Sequence, residues 1–318
     1  MSSLIAPILK VENLKKTYTV HRAFKSSLHV QALRGINLEV RPGETLAVVG
    51  ESGCGKSTLA KVLMKIEQAT EGRAEVLSLD IEKLTSKELP SHLQMIFQDP
   101  YSSLNPRKKI LDVIAEPLRI RGDMKEASIV EKVKEVATLV GLRPEILLRY
   151  PHMLSGGQRQ RVGIARALTT EPKVIICDEP VSALDVSVQA QVLNLLLDLQ
   201  QQKGLSFLFI SHDLGVVRFL AHRVAVMYLG KIVEIADRDA LFQSARHPYT
   251  QLLLKSTPNV KNSVNEQAVE AGDLPSPLNP PSGCAFHTRC PYATKECSET
   301  TPELRNVDKS FVACHWAE

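Results

Sequence analysis

The stretch GESGCGKS, Gly50 to Ser57, lies between an apolar run, LAVVG, and an apolar-periodic segment, TLAKVLMKIEQ. It fits G-x-x-x-x-G-K-[ST], Gly50-Glu51-Ser52-Gly53-Cys54-Gly55-Lys56-Ser57, with Thr58 behind it. In such a loop, glycines let backbone N–H groups turn inward around phosphate, and the following helix start adds positive potential. Lys56 would reach the β- and γ-phosphates, and Ser57 would hold Mg²⁺. A second group, CDEP, closes the apolar run KVIIC with Asp178 and Glu179. One carboxylate there can enter a Mg²⁺ shell while its neighbour polarises an attacking water.

LSGGQRQRVGIARAL supplies a third. Ser155 and Gln158 are spaced for a capping box at a helix start. Gly156 and Gly157 leave first-turn N–H groups uncovered, although each weakens a helix by ~1 kcal/mol relative to alanine. That choice points to a second anion-binding surface.

The fourth is a set of thiols, C-x5-C-x6-C-x16-C, at Cys284, Cys290, Cys297 and Cys314. MSSLIAPILK has neither a basic start nor a long apolar core, so no secretory signal is expected. No apolar run approaches the roughly 20 residues a membrane helix needs. A reducing compartment makes metal ligation the expectation over disulfides. Four thiolates suit Zn²⁺ or an iron–sulfur cluster, and the lack of a C-x2-C pair favours the cluster. Free thiols are the third reading. His287 and His315 are spare ligands nearby or, more plainly, surface histidines. Cys54 and Cys177 read as a loop filler and a small buried hydrophobe.

The elements that must position these groups alternate. Arg41-Pro42-Gly43 marks a turn between two strand-like runs, and LAVVG enters the glycine loop as a strand. ASIVEKVKEVATLVGL places Ile129, Val133, Val136 and Val140 on one helical face. KVIIC and LSFLFI read as buried parallel strands, separated by a helix stopping at Gly204. Alternating strands and helices give an α/β domain around a mainly parallel sheet. From Ser256 a proline-rich stretch reads as a linker, with too little apolar content for a core of its own. The expected division is 1–255 for the nucleotide-binding domain and 256–318 for the linker and cysteine-rich extension. The chain has 318 residues, 44% hydrophobic and 23% charged, and its net charge of +4 gives no case for nucleic acid as partner.

Together these residues resemble the ATP-binding-cassette family. Gln98 in QMIFQDP matches its Q-loop, SALD (Ser182 to Asp185) its D-loop, and His212 its switch histidine. Tyr18 or Phe24 is the aromatic expected to stack on adenine. FQDPYSSLNPR, HPYTQLLL and LPSPLNPPSGCAF are similar to the ATPase subunits of the oligopeptide/dipeptide importer subfamily. The resemblance implies an α/β P-loop NTPase cassette with a RecA-like core, a small antiparallel β region, a helical subdomain and a cysteine-rich extension. It implies ATP and Mg²⁺, with Ser57, Gln98 and Asp178 on the metal, Glu179 activating water and His212 steadying the γ-phosphate. Ser155, Gly156, Gly157 and Gln158 would meet the ATP of a partner ATPase, in a heterodimer or a homodimer. The four cysteines would hold a 4Fe–4S cluster, or zinc, as a structural staple. Two permease subunits and an external binding protein are the further implied partners, at the cytoplasmic face of the inner membrane. Peptides are the expected cargo, with nickel, oligosaccharides or antimicrobial peptides as alternatives. A soluble cassette of DNA maintenance or translation is a different class. Such proteins carry two cassettes or a long coiled coil, and about 100 residues between Ser57 and Ser155 leave no room for one.

Overall fold

The structure is a computed structural model and describes residues 6–22, 25–256 and 275–317. These form two compact units. One comprises Glu39–Glu44 and Ala74–Phe209 with the start of the chain; the other comprises Val11–Leu38, Thr45–Arg73 and Ile210–Glu318.

The strands are β1 (Leu9–Arg22), β2 (Lys25–Val40), β3 (Thr45–Val49), β4 (Glu71–Val76), β5 (Leu79–Asp80) and β6 (Leu93–Ile96). They continue with β7 (Val174–Asp178), β8 (Ser206–Ile210), β9 (Arg223–Tyr228), β10 (Lys231–Asp237), β11 (Arg305–Val307) and β12 (Ser310–Val312). The helices are α1 (Lys56–Leu63), α2 (Ile110–Arg121), α3 (Glu126–Leu139), α4 (Gly156–Leu168) and α5 (Val186–Lys203). Shorter ones follow: α6 (Leu214–Leu220), α7 (Arg238–Ser244), α8 (Pro248–Lys255) and α9 (Lys295–Glu299).

In the first unit β6 and β7 pair in parallel, from Leu93 opposite Val174 to Ile96 opposite Cys177, with β8 beside β7. Every residue of β7 and β8 is buried, as expected of strands covered on both faces. Helices α2, α3 and α4 pack on one another. The α3 face carries Ile129, Val133 and Val136 inward, with Val140 buried just past its end. Gly204 ends α5 in the left-handed conformation, where the lack of a Cβ removes the steric cost.

In the second unit β3 and β9 run parallel, Leu46 opposite Arg223 to Val49 opposite Val226. Strand β10 folds back on β9, and its other edge takes β12, with Glu234 opposite Val312 and Ala236 opposite Ser310. Strand β11 pairs with β12 in turn. The core here gathers Val49, Val217, Tyr228, Tyr249 and Phe286. Phe286 sits edge-on to Tyr228 with ring centroids 5.3 Å apart, and Tyr249 lies 4.5 Å from Tyr228.

Two expectations need correction, the end of the first helix and the metal site. The helix after the glycine loop stops at Leu63 instead of running on through Gln68, because Lys65 turns left-handed at φ 56°. There Ile66 N–H donates to Lys61 O at 2.9 Å and Lys65 N–H to Val62 O at 3.0 Å, a Schellman closure.

The C-terminal stretch, expected to lack core of its own, packs into that of the second unit. Ala285 and Phe286 are buried in it, and β12 extends the sheet. The linker reading from Ser256 falls largely on residues outside the described ones.

The iron–sulfur and zinc readings are not supported. Among the described residues, no group of three or more His, Cys, Asp or Glu is arranged to hold a metal ion. The cysteines are free thiols serving as small apolar residues. Cys284 and Cys290 pack against the aromatic core, while Cys314 sits in a separate small cluster with Val307, Val312 and Ala317. Burial pushes the Cys284, Cys290 and Cys314 thiols up, and neighbouring thiols add to it. Of the two histidines read as spare ligands or surface groups, His287 is half-buried with Nδ1 2.9 Å from Cys284 O, and His315 has Nε2 3.0 Å from Thr300 O.

Candidate functional site

The second unit holds the glycine loop. Gly50 has φ 154°, and a Cβ there would lie 2.1 Å from Met227 O. At Gly55, φ is 110° and a Cβ would meet Ala32 O at 2.4 Å. The close approach of backbone therefore requires glycine at both positions. Gly55 also serves as N-cap of α1, and no side chain caps that helix. A helix start without a side-chain cap, behind a glycine loop, is the arrangement that binds phosphate. Lys56 is buried, and its Nζ donates to Gly50 O at 2.7 Å and Glu51 O at 3.0 Å. Ser52 and Gly53 are exposed, whereas Ser57 and Thr58 are half-buried. Cys54 is buried with Sγ 3.7 Å from Lys56 Nζ, and burial raises its pKa.

Glu51 is engaged at every polar group. Its N–H donates to Tyr249 Oη at 2.9 Å, and its carbonyl accepts from Cys54 N–H at 3.3 Å as well as from Lys56. Its carboxylate receives Arg289 Nη1 at 3.0 Å and Nη2 at 3.1 Å. Arg289 lies beside the faces of Tyr228 and Phe286, with a side chain 7% exposed. Burial alone would lower its pKa; the hydrogen bonds to Glu51 and Tyr228 outweigh that and raise it.

Tyr18 is half-buried on β1, with Lys16 Nζ 4.8 Å from its ring centroid. Its rival, Phe24, lies outside the described residues. His212 is exposed, two residues past the end of β8. The next residue, Asp213, caps α6 by accepting from Gly215 N–H at 2.7 Å.

The first unit holds the carboxylates. Asp178 ends β7 and is buried; Glu179 is half-buried and left-handed at φ 45°. A non-glycine residue there stores roughly 1–3 kcal/mol of strain, the kind of cost concentrated at functional sites. Ser182 holds the turn, donating its N–H at 3.2 Å and its hydroxyl at 3.0 Å to Glu179 O. Gln98 Nε2 donates to Glu179 Oε2 at 3.0 Å, so these two sequence-predicted residues adjoin. Asp185 caps α5 through Val188 N–H at 3.0 Å, and this bond with Ser187 lowers its pKa.

The helix of LSGGQ starts as its spacing predicts. Ser155 Oγ accepts from Gln158 N–H at 3.3 Å, and Gln158 Oε1 accepts from Ser155 N–H at 3.1 Å. The glycines have an additional reason that the sequence did not show. A Cβ on Gly157 would lie 2.5 Å from Val188 Cγ1, and one on Gly156 3.4 Å from Leu184 Cδ2. Close packing against Val188 of α5 selects glycine at position 157, alongside any anion-binding role, whereas the contact at 156 is an ordinary one. Two arginines of α4 went unread as well. Arg159 lies 4.9 Å from the Tyr101 ring centroid, and Arg166 donates to Ser103 O at 2.6 Å. They fasten the segment after Gln98 to α4.

Two family models match the chain, "ABC transporter" over residues 33–182 and "Oligopeptide/dipeptide transporter, C-terminal region" over 233–297. The di/tripeptide transport ATP-binding protein DppF of Pseudomonas aeruginosa is 50% identical over 316 residues, covering 98% of each chain. The chain belongs to the ABC transporter ATP-binding proteins of the oligopeptide/dipeptide family. The dipeptide transport ATP-binding protein DppF of Escherichia coli is 48% identical, covering 98% of this chain and 95% of its own length. Among solved structures, a dimeric ATP-binding cassette in a post-hydrolysis state, bound to ADP and phosphate, matches with TM-score 0.63 and 28% identity. That match covers 72% of this chain and 98% of the other. The fold is therefore the P-loop cassette of ABC ATPases, combining mixed α/β structure with an antiparallel sheet. In this ABC ATPase the "ABC transporter" match includes the glycine loop, Gln98, Ser155 and Glu179. Tyr249 and Arg289 fall in the C-terminal match.

Proposed function

We propose that the chain is the ATP-hydrolysing subunit that powers peptide import by an ABC transporter, with di- and oligopeptides as cargo. The uncapped start of α1 carries this reading, with Lys56 buried in its first turn and backbone oxygens that require glycine at positions 50 and 55. Backbone N–H groups from Gly53 to Thr58 bind the phosphates, and Lys56 leaves its loop carbonyls for the β- and γ-phosphates. Tyr18 stacks on adenine. Ser57, Gln98 and Asp178 would hold Mg²⁺, whose charge offsets that developing on the phosphate oxygens. Glu179 accepts the proton of the attacking water, and its hydrogen bond from Gln98 orients the carboxylate. His212 steadies the γ-phosphate.

Ser155, Gly156, Gly157 and Gln158 present the helix start of α4 to the nucleotide of a second ATPase, identical or related. Support comes from the solved relative, a dimer holding ADP and phosphate. Residues 1–255 form the nucleotide-binding part, a RecA-like core with a helical subdomain, and 256–318 the C-terminal extension. No helix among the described residues is long and apolar enough to cross a membrane. In this reading translocation passes through separate permease subunits, fed by an external binding protein, with this chain peripheral at the cytoplasmic face of the inner membrane; the likeness to peptide transport ATP-binding proteins supports it.

The test is Glu179→Gln in the assembled complex. Turnover is expected to fall at least about a hundredfold, the scale of a lost general base, while ATP still binds. Turnover near the wild-type rate would remove Glu179 from that role.

A further inference from the structure

The phosphate loop of this chain carries an acid. A carboxylate at Glu51 stands in the loop that is to receive a triphosphate, and left alone it would repel the ligand. The structure contains its countercharge. Arg289 reaches Glu51 from 238 residues further along the chain and grips both carboxylate oxygens, at 3.0 and 3.1 Å. The Arg289 side chain is 7% exposed, held against the Tyr228 and Phe286 rings, so the fork has few other orientations available. Tyr249, 198 residues from Glu51, fixes the same residue from its backbone side, accepting the Glu51 N–H at 2.9 Å. The Glu51 carbonyl also accepts from Cys54 and Lys56, but Lys56 leaves for the phosphates, so Arg289 and Tyr249 are the holds that remain. Arg289 and Tyr249 lie outside the stretch that matches the general "ABC transporter" model, which ends at residue 182.

We propose that Arg289 is a positioning residue for ATP binding: it neutralises Glu51 and locks the first turn of the phosphate loop, so the C-terminal segment sets nucleotide affinity. Arg289 acts through Glu51 and not on the reacting atoms. The inference rests on the ATPase reading above.

The experiment measures the affinity of the full-length chain for a fluorescent ATP analogue, then KM and kcat for ATP in the assembled transporter. Four proteins are compared with wild type: R289Q, R289K, E51Q and the double variant E51Q/R289Q. Thermal unfolding of each reports folding separately.

R289Q is expected to weaken analogue binding about tenfold and raise KM by a similar factor, leaving kcat within about twofold, as removal of one charge-assisted pair predicts. R289K, which keeps the charge and loses the fork, should fall between R289Q and wild type. E51Q should remove the need for the countercharge, so the double variant binds the analogue better than R289Q alone.

R289Q that unfolds earlier but binds the analogue normally when folded would show a structural role only and overturn the proposal. Failure of E51Q to relieve R289Q would do the same. Should R289Q not fold, the comparison of R289K with wild type decides: equal affinity and KM overturn the proposal, and weakened binding supports it. Wild-type chain that does not bind the analogue overturns the ATPase reading and this proposal with it. Wild-type binding beside an unaffected R289Q overturns the proposal alone.

Discussion

Two glycine-rich helix starts in this chain solve the same local problem in opposite ways. The start of α4 closes on itself: Ser155 and Gln158 exchange hydrogen bonds within one turn. The start of α1 has no side-chain cap. Its loop is held instead by Tyr249 and Arg289, both far away in sequence. A self-capped start is stable without help, while an uncapped one keeps its N–H groups for a ligand and must borrow rigidity elsewhere. The two glycine pairs divide likewise. Those of the phosphate loop meet backbone oxygens, and those of α4 meet the side chains of Leu184 and Val188. Backbone cannot yield; a side chain can be trimmed.

That difference fixes an order of effects. Gly50→Ala should be the most damaging, since its Cβ would lie 2.1 Å from Met227 O. Several kcal/mol of stability, on the order of 4, and all analogue binding should be lost, measured by denaturant unfolding and titration. Gly157→Ala should cost about 1–3 kcal/mol, because the obstacle is Val188 Cγ1 at 2.5 Å. Adding Val188→Ala should recover most of it in the same assay. If it does not, the clash lies in backbone and the contrast between the two starts fails. Ser155→Ala should cost the least, about 1 kcal/mol, the usual value of a lost N-cap. It should leave analogue binding by the isolated chain unchanged, since the cap serves a different helix from the phosphate loop. A tenfold loss of analogue affinity there would mean that the two starts are not independent.

What could be read from the sequence follows the same division. The capping box, the buried strands β7 and β8, the α3 face and the Gly204 stop all depend on neighbours a few residues apart, where spacing alone carries the signal. Gly157 against Val188, the arginines of α4 on Tyr101 and Ser103, and the Arg289 fork depend on chain return, which spacing does not encode. HPYTQLLL pointed to a family but not to the role of Tyr249, whose hydroxyl matters only once α8 is placed. The cysteines misled because ligand type and number were taken as sufficient. Their burial among apolar side chains is a property of packing. A proline-rich composition likewise hid Phe286, one ring that does the work of many apolar residues because it lands between two tyrosines.

The distance between Glu51 and Arg289 also has a consequence for biosynthesis. A ribosome working at roughly 5–20 residues per second needs about 12–48 s to add the 238 residues that separate them. Through that interval the phosphate loop emerges, and α1 can form behind it, with its bracing partners still unmade. A nascent chain thus acquires its completed loop only near release, and a product truncated before Arg289 never does. Synthesis itself keeps unfinished copies from carrying a finished nucleotide site.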